Sequence, residues 1–267
     1  MNHKIQLLII DAQYDFCDPN GALYVPGAQE DMKRTTSMIR KGKDKIEKIR
    51  VTLDTHRKQH IAHPIWWIDE NDNHPKPFTA ISTNDVIGNL IKWRASNPEY
   101  NERSIEYVRQ LERNGRYTLT IWPPHCLIGS NGHKIFPDIF DALDEWEDMY
   151  ASVDYLTKGT NIFTEHYSAI RADVIDPDDN GTYFNTGFIE RLDEAEIIGI
   201  AGEALSHCVA NTVKDIADAL RDNHIEKLVL LEDATSPVTG FEDQALDFIK
   251  EMKSRGMRIA RTTDFPG

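Results

Sequence analysis

Apolar residues along this chain fall into short runs separated by stretches of helical periodicity. The run Ile5–Ile10 (IQLLII) is nearly continuous in apolar character, the pattern of a strand buried on both faces. Comparable runs follow at Ile49–Leu53 (IRVTL), Tyr117–Ile121 (YTLTI), Ser152–Leu156 (SVDYL), Glu196–Ala201 and Lys227–Leu231 (KLVLL), and Met257–Arg261 reads as a terminal edge strand. Gln29–Lys48, Thr212–Arg221 and Asp243–Arg255 read as helices with polar outer faces. Strands alternating with helices predict an α/β fold whose mainly parallel sheet is covered on both faces.

One segment breaks the rhythm. Residues 64–116 carry PIWWIDENDNHPKPFT and then a polar helical stretch, NERSIEYVRQLER. The sequence has no internal repeat or low-complexity linker, so residues 1–267 read as a single domain with a long excursion between the second and third strands. No stretch approaches the roughly 18–20 apolar residues of a membrane span, and the opening MNHKIQLLIIDAQYDF lacks a small-residue cleavage site. The net charge of -14 opposes nucleic-acid phosphates and anionic membranes. Three scattered cysteines, Cys17, Cys126 and Cys208, make no disulfide framework. They fit a reducing, cytoplasmic setting.

In open parallel sheets, ligands bind beyond the carboxyl ends of the strands. There the sequence places Asp11, then Asp54-Thr55-His56, then Trp122-Pro123-Pro124-His125, then Lys158, then the turn leading to Cys208. Five successive strand ends with titratable or metal-ligating side chains are hard to explain as packing. Asp54 and His56 point to one side of an extended segment, and His125 can add a second imidazole. One carboxylate and two imidazoles suit a borderline divalent ion such as zinc, iron or manganese. His60 and His63 are both candidates for a fourth ligand. Taken alone, Asp-x-His is a common tripeptide.

Cys208 stands where a helix is predicted to begin, and backbone N–H groups with the helix dipole there favour a thiolate. Burial as a small core residue is the commoner fate of a free cysteine. Cys126, beside His125, is a rival nucleophile. Asp11 and Lys158 tip the balance, because a carboxylate base and a cation are what a reactive thiol needs. Phe16, Trp66, Trp67, Trp122 and Tyr167 can wall a pocket for a flat ring or simply fill the core.

The motifs LLIIDAQYDF, TLDTH, WPPHC, KGTN…YSAI and GEALSHCV, in this order from Leu7 to about Asp215, resemble those of the isochorismatase-like cysteine hydrolases, with the closest match to the nicotinamidases, also called pyrazinamidases. The resemblance implies a doubly wound, Rossmann-like sheet of about six strands. It implies a catalytic triad of Asp11, Lys158 and Cys208, and a divalent ion, zinc ahead of iron or manganese, on Asp54, His56, His125 and a fourth ligand. His63 is preferred to His60. It also implies a cis peptide at Glu203–Ala204, an oxyanion hole from the N–H groups of Ala204 and Cys208, and ring stacking on Phe16 and Trp122 with Tyr167 nearby. His207 is expected to be structural.

The implied activity is hydrolysis of nicotinamide to nicotinate and ammonia through a thioester on Cys208. Two departures leave the substrate open. The 64–116 excursion is longer than in compact nicotinamidases, and the lysine motif ends YSAI where many relatives have an aromatic residue. The excursion can narrow the pocket, extend it for another small amide or an N-carbamoyl or ureido compound, or serve a homo-oligomer contact.

Overall fold

Every residue of β1 (Ile5–Ile10) is buried, and alternate side chains feed different cores. Ile5, Leu7 and Ile9 join one apolar cluster, Leu8 and Ile10 another. This is the alternation of a strand with helices on either side. The computed structural model describes residues 4–266 apart from 89, 90, 116, 150 and 221. After β1 come α1 (Tyr14–Cys17), α2 (Ala28–Gly42), β2 (Ile46–Asp54), β3 (Trp67–Ile68), β4 (Ala80–Ile81), α3 (Thr83–Val86), β5 (Arg94–Ala95), α4 (Asn101–Arg113) and β6 (Leu119–Thr120). The second half holds α5 (Pro137–Glu147), β7 (Asp154–Lys158), α6 (Thr186–Asp193), β8 (Ile197–Gly202), α7 (Ala210–Ala219), β9 (Leu228–Leu231), α8 (Glu242–Ser254) and β10 (Arg258–Ala260).

Six strands form one parallel sheet in the order β10-β9-β8-β1-β2-β7. Met32 of α2, Val108 of α4 and Leu143 of α5 pack with Leu7 and Ile9; Phe188 of α6, Val213 of α7 and Phe248 of α8 pack with Leu8 and Ile10. The chain moves outward from β1 to β2 and β7, then returns to β8 on the other flank of β1. That reversal opens a crevice at the carboxyl ends of β1 and β8, where doubly wound folds bind ligands.

Two expectations need correction. Tyr117–Ile121 is not a strand of the main sheet: only Leu119–Thr120 is extended, and it pairs antiparallel with β4 inside the excursion. The sixth strand is instead the terminal β10, on the edge beside β9. The predicted helix Gln29–Lys48 stops at Gly42, because Ile46, Ile49 and Val51 are needed in β2 beside β1. The predicted ends at Arg116 and Arg221 lie outside the described residues.

The excursion packs inward. The Trp66 ring stacks on Tyr100 at 5.3 Å, and its Nε1 donates to Ser104 Oγ at 2.9 Å. Trp67 Nε1 donates to Ile61 O at 2.7 Å. Both indoles lie in the same core as β1 and α2. Among the described residues no helix is long and apolar enough to cross a membrane.

Gly202, the last residue of β8, has φ +113°, and a Cβ there would stand 1.9 Å from Ile10 O. Strand β1 approaches too closely for any side chain, and the turn to Cys208 starts from a backbone conformation that suits glycine. Gly202→Ala is therefore expected to destabilise the protein by about 3 kcal/mol or more, measured by urea unfolding; an unchanged midpoint would refute the close-approach argument.

Candidate active site

Asp11 follows β1 directly, with φ 47°. Its N–H donates to Thr52 O at 3.2 Å and Thr52 Oγ1 at 3.1 Å. Thr52 Oγ1 in turn donates to Asp11 Oδ1 at 2.5 Å. The neighbouring strand thus holds both the backbone and the carboxylate. Lys158 ends β7 and is buried, with its Nζ 2.9 Å from Asp11 Oδ2 and 3.0 Å from Asp54 Oδ1. It also donates to His166 O at 2.9 Å and lies 3.5 Å from Cys208 Sγ. One ammonium therefore touches two carboxylates and the thiol.

Cys208 sits on a π-helical turn, Leu205–Val209, ahead of α7. The Glu203–Ala204 peptide before it is cis. Ala204 O accepts the N–H groups of His207 and Val209 at 3.0 and 3.1 Å. Burial pushes the Cys208 thiol well above its ordinary pKa; Lys158 pulls against this and Asp11 adds to it. Desolvation thus works against the pull toward thiolate that a helix start and the nearby cation exert. Burial also raises Asp11, against the pull of Lys158 and with the help of Asp54. Lys158 is held well above its usual value, because Asp11 and Asp54 outweigh the burial that disfavours its charge.

The second cluster meets at Asp54. Its Oδ2 lies 3.0 Å from His56 Nε2 and 3.2 Å from His125 Nε2. The Nδ1 atoms of His56, His125 and His63 face the carbonyls of Gly159, Pro123 and Lys58 at 3.1, 2.8 and 3.1 Å. A carbonyl only accepts, so each Nδ1 carries a hydrogen, which leaves Nε2 as the nitrogen able to bind a cation. His56 Nε2 and His63 Nε2 are buried without a hydrogen-bond partner. Burial lowers the His56 pKa, but Asp54 and Glu165 outweigh it and raise the value to about 9. Burial with the neighbouring His125 and His56 drops His63 to about 3. The site thus prefers positive charge between Asp54 and His56 and offers a neutral His63 beside it.

His60 is different. Its Nε2 faces Thr164 O at 3.2 Å and its Nδ1 accepts the Ala62 N–H at 3.2 Å. It comes within reach of His56 and Glu165, yet both its nitrogens are already engaged. Gly159 makes room for the cluster: at φ +79°, a Cβ would stand 2.8 Å from His56 Cε1 and 2.9 Å from Asp54 Oδ1.

Phe16, Asp54, Trp122, His125, Tyr167, Ala204 and Cys208 line one narrow cavity of about 20 Å³. Trp122 Nε1 donates to Tyr167 Oη at 2.7 Å, and the Phe16 ring meets His125 at 5.4 Å. Cys126 and Cys17 are outside this lining. Both are buried, and desolvation pushes both thiols well above their ordinary range.

No protein-family model matches the chain. The nicotinamidase of Saccharomyces cerevisiae is 22% identical over 255 residues, 95% of this chain and 97% of that one. The solved structure of the yeast nicotinamidase superposes with a TM-score of 0.66 at 19% identity, covering 96% of this chain and 99% of that one. A nicotinamidase/pyrazinamidase of Acinetobacter baumanii gives 0.64 at 20% identity, covering 98% of both chains. The fold is that of the nicotinamidases. The pyrazinamidase of Pyrococcus horikoshii, solved in complex with zinc, gives 0.57 at 20% identity, covering 97% of this chain and 99% of that one.

On this nicotinamidase fold, four further residues complete the cavity lining: Leu23, Glu165, His207 and Val238. Leu23 and Val238 carry no mark that separates them from core residues. Glu165 is buried, accepts the His166 N–H at 2.9 Å through Oε1 and leaves Oε2 without a partner. In TEHYSAI it looks like a solvated charge, and only its nearness to Lys158 hinted otherwise. His207 faces Trp122, Tyr167 and Phe241 with ring centroids 5.2, 5.2 and 4.7 Å away, and its Nδ1 is 2.8 Å from Ser206 Oγ. Burial lowers its pKa to about 4. It is a neutral ring in an aromatic wall.

Lys158→Met would leave Asp11 and Asp54 buried without their shared cation. Breaking a buried ion pair from one side costs about 3–5 kcal/mol. We expect a loss of that order in urea-unfolding free energy, and a change below ~1 kcal/mol would show that the ammonium is not needed to hold the carboxylates.

Proposed function

We propose that the protein is a metal-assisted cysteine amidohydrolase that converts nicotinamide and water to nicotinate and ammonia. The observation that carries this reading is the Lys158 ammonium, 2.9 Å from Asp11 and 3.5 Å from Cys208 Sγ, at a small aromatic-walled cavity. A raised Asp11 carboxyl can both take and return a proton, as a general acid–base must. Phe16, Trp122 and Tyr167 in the lining beside Cys208 suit a flat aromatic substrate that carries a carboxamide.

In the first half-reaction, Asp11 takes the proton from Cys208 as sulfur attacks the carboxamide carbon. Lys158 steadies the charges on both groups. The N–H groups of Ala204 and Cys208 hold the tetrahedral oxyanion. Asp11 then returns the proton to the amide nitrogen, and ammonia leaves a thioester on Cys208. In the second half, Asp11 deprotonates water, whose oxygen attacks the thioester carbon. Cys208 leaves as a thiolate beside Lys158 and regains its proton from Asp11, releasing the acid.

The ligand atoms of Asp54, His56 and His125 lie close enough together to hold a divalent ion, with zinc favoured by the nitrogen and carboxylate donor set, and His63 is the proposed fourth ligand. The unpartnered Nε2 atoms of His56 and His63 support that fit. When bound, such an ion supplies a Lewis-acidic point that orients a ring nitrogen. Glu165, whose Oε1 is 3.7 Å from His56 Nε2, adds negative charge beside this set. Three free, buried cysteines suit a reducing, cytoplasmic setting.

Ammonia release from nicotinamide, compared with N-carbamoyl and ureido compounds, tests the reading. Cys208→Ala is expected to lose roughly a thousandfold or more in kcat. Equal rates in wild type and variant would remove the thioester, and preference for a carbamoyl compound would move the substrate class. His63→Ala is expected to weaken divalent-metal binding about 10–100-fold, measured by equilibrium dialysis. His60→Ala should leave metal affinity nearly unchanged and lower stability; the reverse pattern would exchange the two assignments.

A further inference from the structure

Behind the Cys208 turn lies a second buried acid cluster that the chemistry above does not use. Glu203 is fully buried and stands immediately before Ala204. Its N–H donates to Ile10 O at 2.7 Å, and its Oε2 accepts the Ser236 N–H at 3.0 Å. Ser236 also holds the next residue but one, because its carbonyl accepts the Leu205 N–H at 2.8 Å. Ser236 Oγ donates to Asp31 Oδ2 at 2.5 Å, and Asp31 Oδ1 accepts Arg34 at 2.6 Å. Asp31 too is buried, at 3% exposure. Ser236 thus bridges the Glu203 and Asp31 carboxyls, its N–H on one and its Oγ on the other.

Asp31 already accepts from Ser236 Oγ and from the Arg34 guanidinium, so both of its oxygens serve as acceptors. Glu203 Oε2 is occupied by the Ser236 N–H. Glu203 Oε1 is buried without a hydrogen-bond partner, so it is the oxygen left to carry a proton. We propose that Glu203 is a positioning residue, a buried carboxylic acid that keeps its proton beside Asp31 and accepts from Ser236, and so clamps the 203–208 turn against α2 in the register that presents Ala204 and Cys208 to the cavity.

The groups facing Glu203 agree with a neutral acid. Burial first, and then Asp31, push its carboxyl well above the usual range, while the Ser236 N–H and Arg34 oppose this without reversing it. Cys17 of α1 also faces the pair, and its buried thiol stays neutral. The clamp is separate from the metal-ligating set, since neither Glu203 nor Asp31 touches Asp54 or its imidazoles in any hydrogen bond or ion pair among the described residues. Its catalytic consequence rests on the oxyanion role proposed above, whereas the clamp itself does not.

Glu203→Gln keeps the shape, a donor in place of the acid O–H and the acceptor for Ser236, and it cannot ionise. A group with a raised folded pKa stabilises the fold fully below its unfolded pKa and loses that contribution as pH rises toward the folded value. The melting temperature of E203Q minus that of wild type should therefore grow from pH 5 to pH 9. A difference that stays constant would mean that Glu203 is ionised throughout and would overturn the proposal.

The second measurement is the alkylation rate of Cys208 by iodoacetamide, resolved from Cys17 and Cys126 by peptide mass spectrometry. E203Q should match wild type, and Glu203→Ala should differ on the order of tenfold as the turn shifts. Equal rates in all three proteins would overturn the clamp. On nicotinamide, E203A should lose kcat with KM little changed, and E203Q should restore it; parallel losses in both variants would count against positioning. If wild type hydrolyses no amide while the first two results hold, the proposed function fails and the clamp stands.

Discussion

The Lys158 ammonium is the interaction on which the rest of the site depends. An isolated buried ammonium is costly, and so are two buried carboxylates. Here each offsets the other, because Lys158 reaches both Asp11 and Asp54 within 3.0 Å. The consequence is structural as much as chemical. Asp11 follows β1, Asp54 ends β2, Lys158 ends β7 and Cys208 follows β8, so one cation draws four strand ends to a common point. The parallel sheet delivers those ends to one edge, and the ammonium sets how closely they converge.

That point also joins two kinds of chemistry. Asp54 spends one oxygen on Lys158 and the other on the imidazoles of His56 and His125. The triad and the imidazole cluster are therefore not independent modules. A cation placed among the imidazoles draws on the same carboxylate that holds Lys158, which in turn sets how strongly Lys158 acts on Asp11 and Cys208. The backbone carbonyls behind His56, His63 and His125 fix the rings from the far side, and Gly159 leaves the space in which they meet.

Much of this was legible from residue pattern, and what was not has physical reasons. IQLLII reads as a two-faced buried strand because nothing else explains a nearly unbroken apolar run of that length. The strand ends follow from it, and so do Asp11, Asp54, Lys158 and the Cys208 turn. Tyr117–Ile121 misleads because its alternation suits an edge ribbon as well as a central strand, and only the partner decides: β4 lies within the excursion. Glu165 and Glu203 were illegible as buried acids, since an isolated glutamate normally implies solvent. What buries them is the convergence of distant segments, α2 and the Ser236 loop on Glu203, α4 on Glu165 through the Tyr107 hydroxyl, which lies 3.3 Å from its N–H.

The resting thiol sharpens how the site divides its charges. A helix start argues for a thiolate at Cys208, but the turn is a closed, desolvated one, and Asp11 and Asp54 already claim the Lys158 charge. A permanent thiolate would add a third buried anion around one cation. Keeping the proton on sulfur until Asp11 can take it leaves the resting charges nearly balanced. In the proposed reaction the proton moves only when a substrate carbonyl is present to receive the sulfur electrons. Balanced pairs at rest and a proton moved on demand suit a cavity from which water is largely excluded.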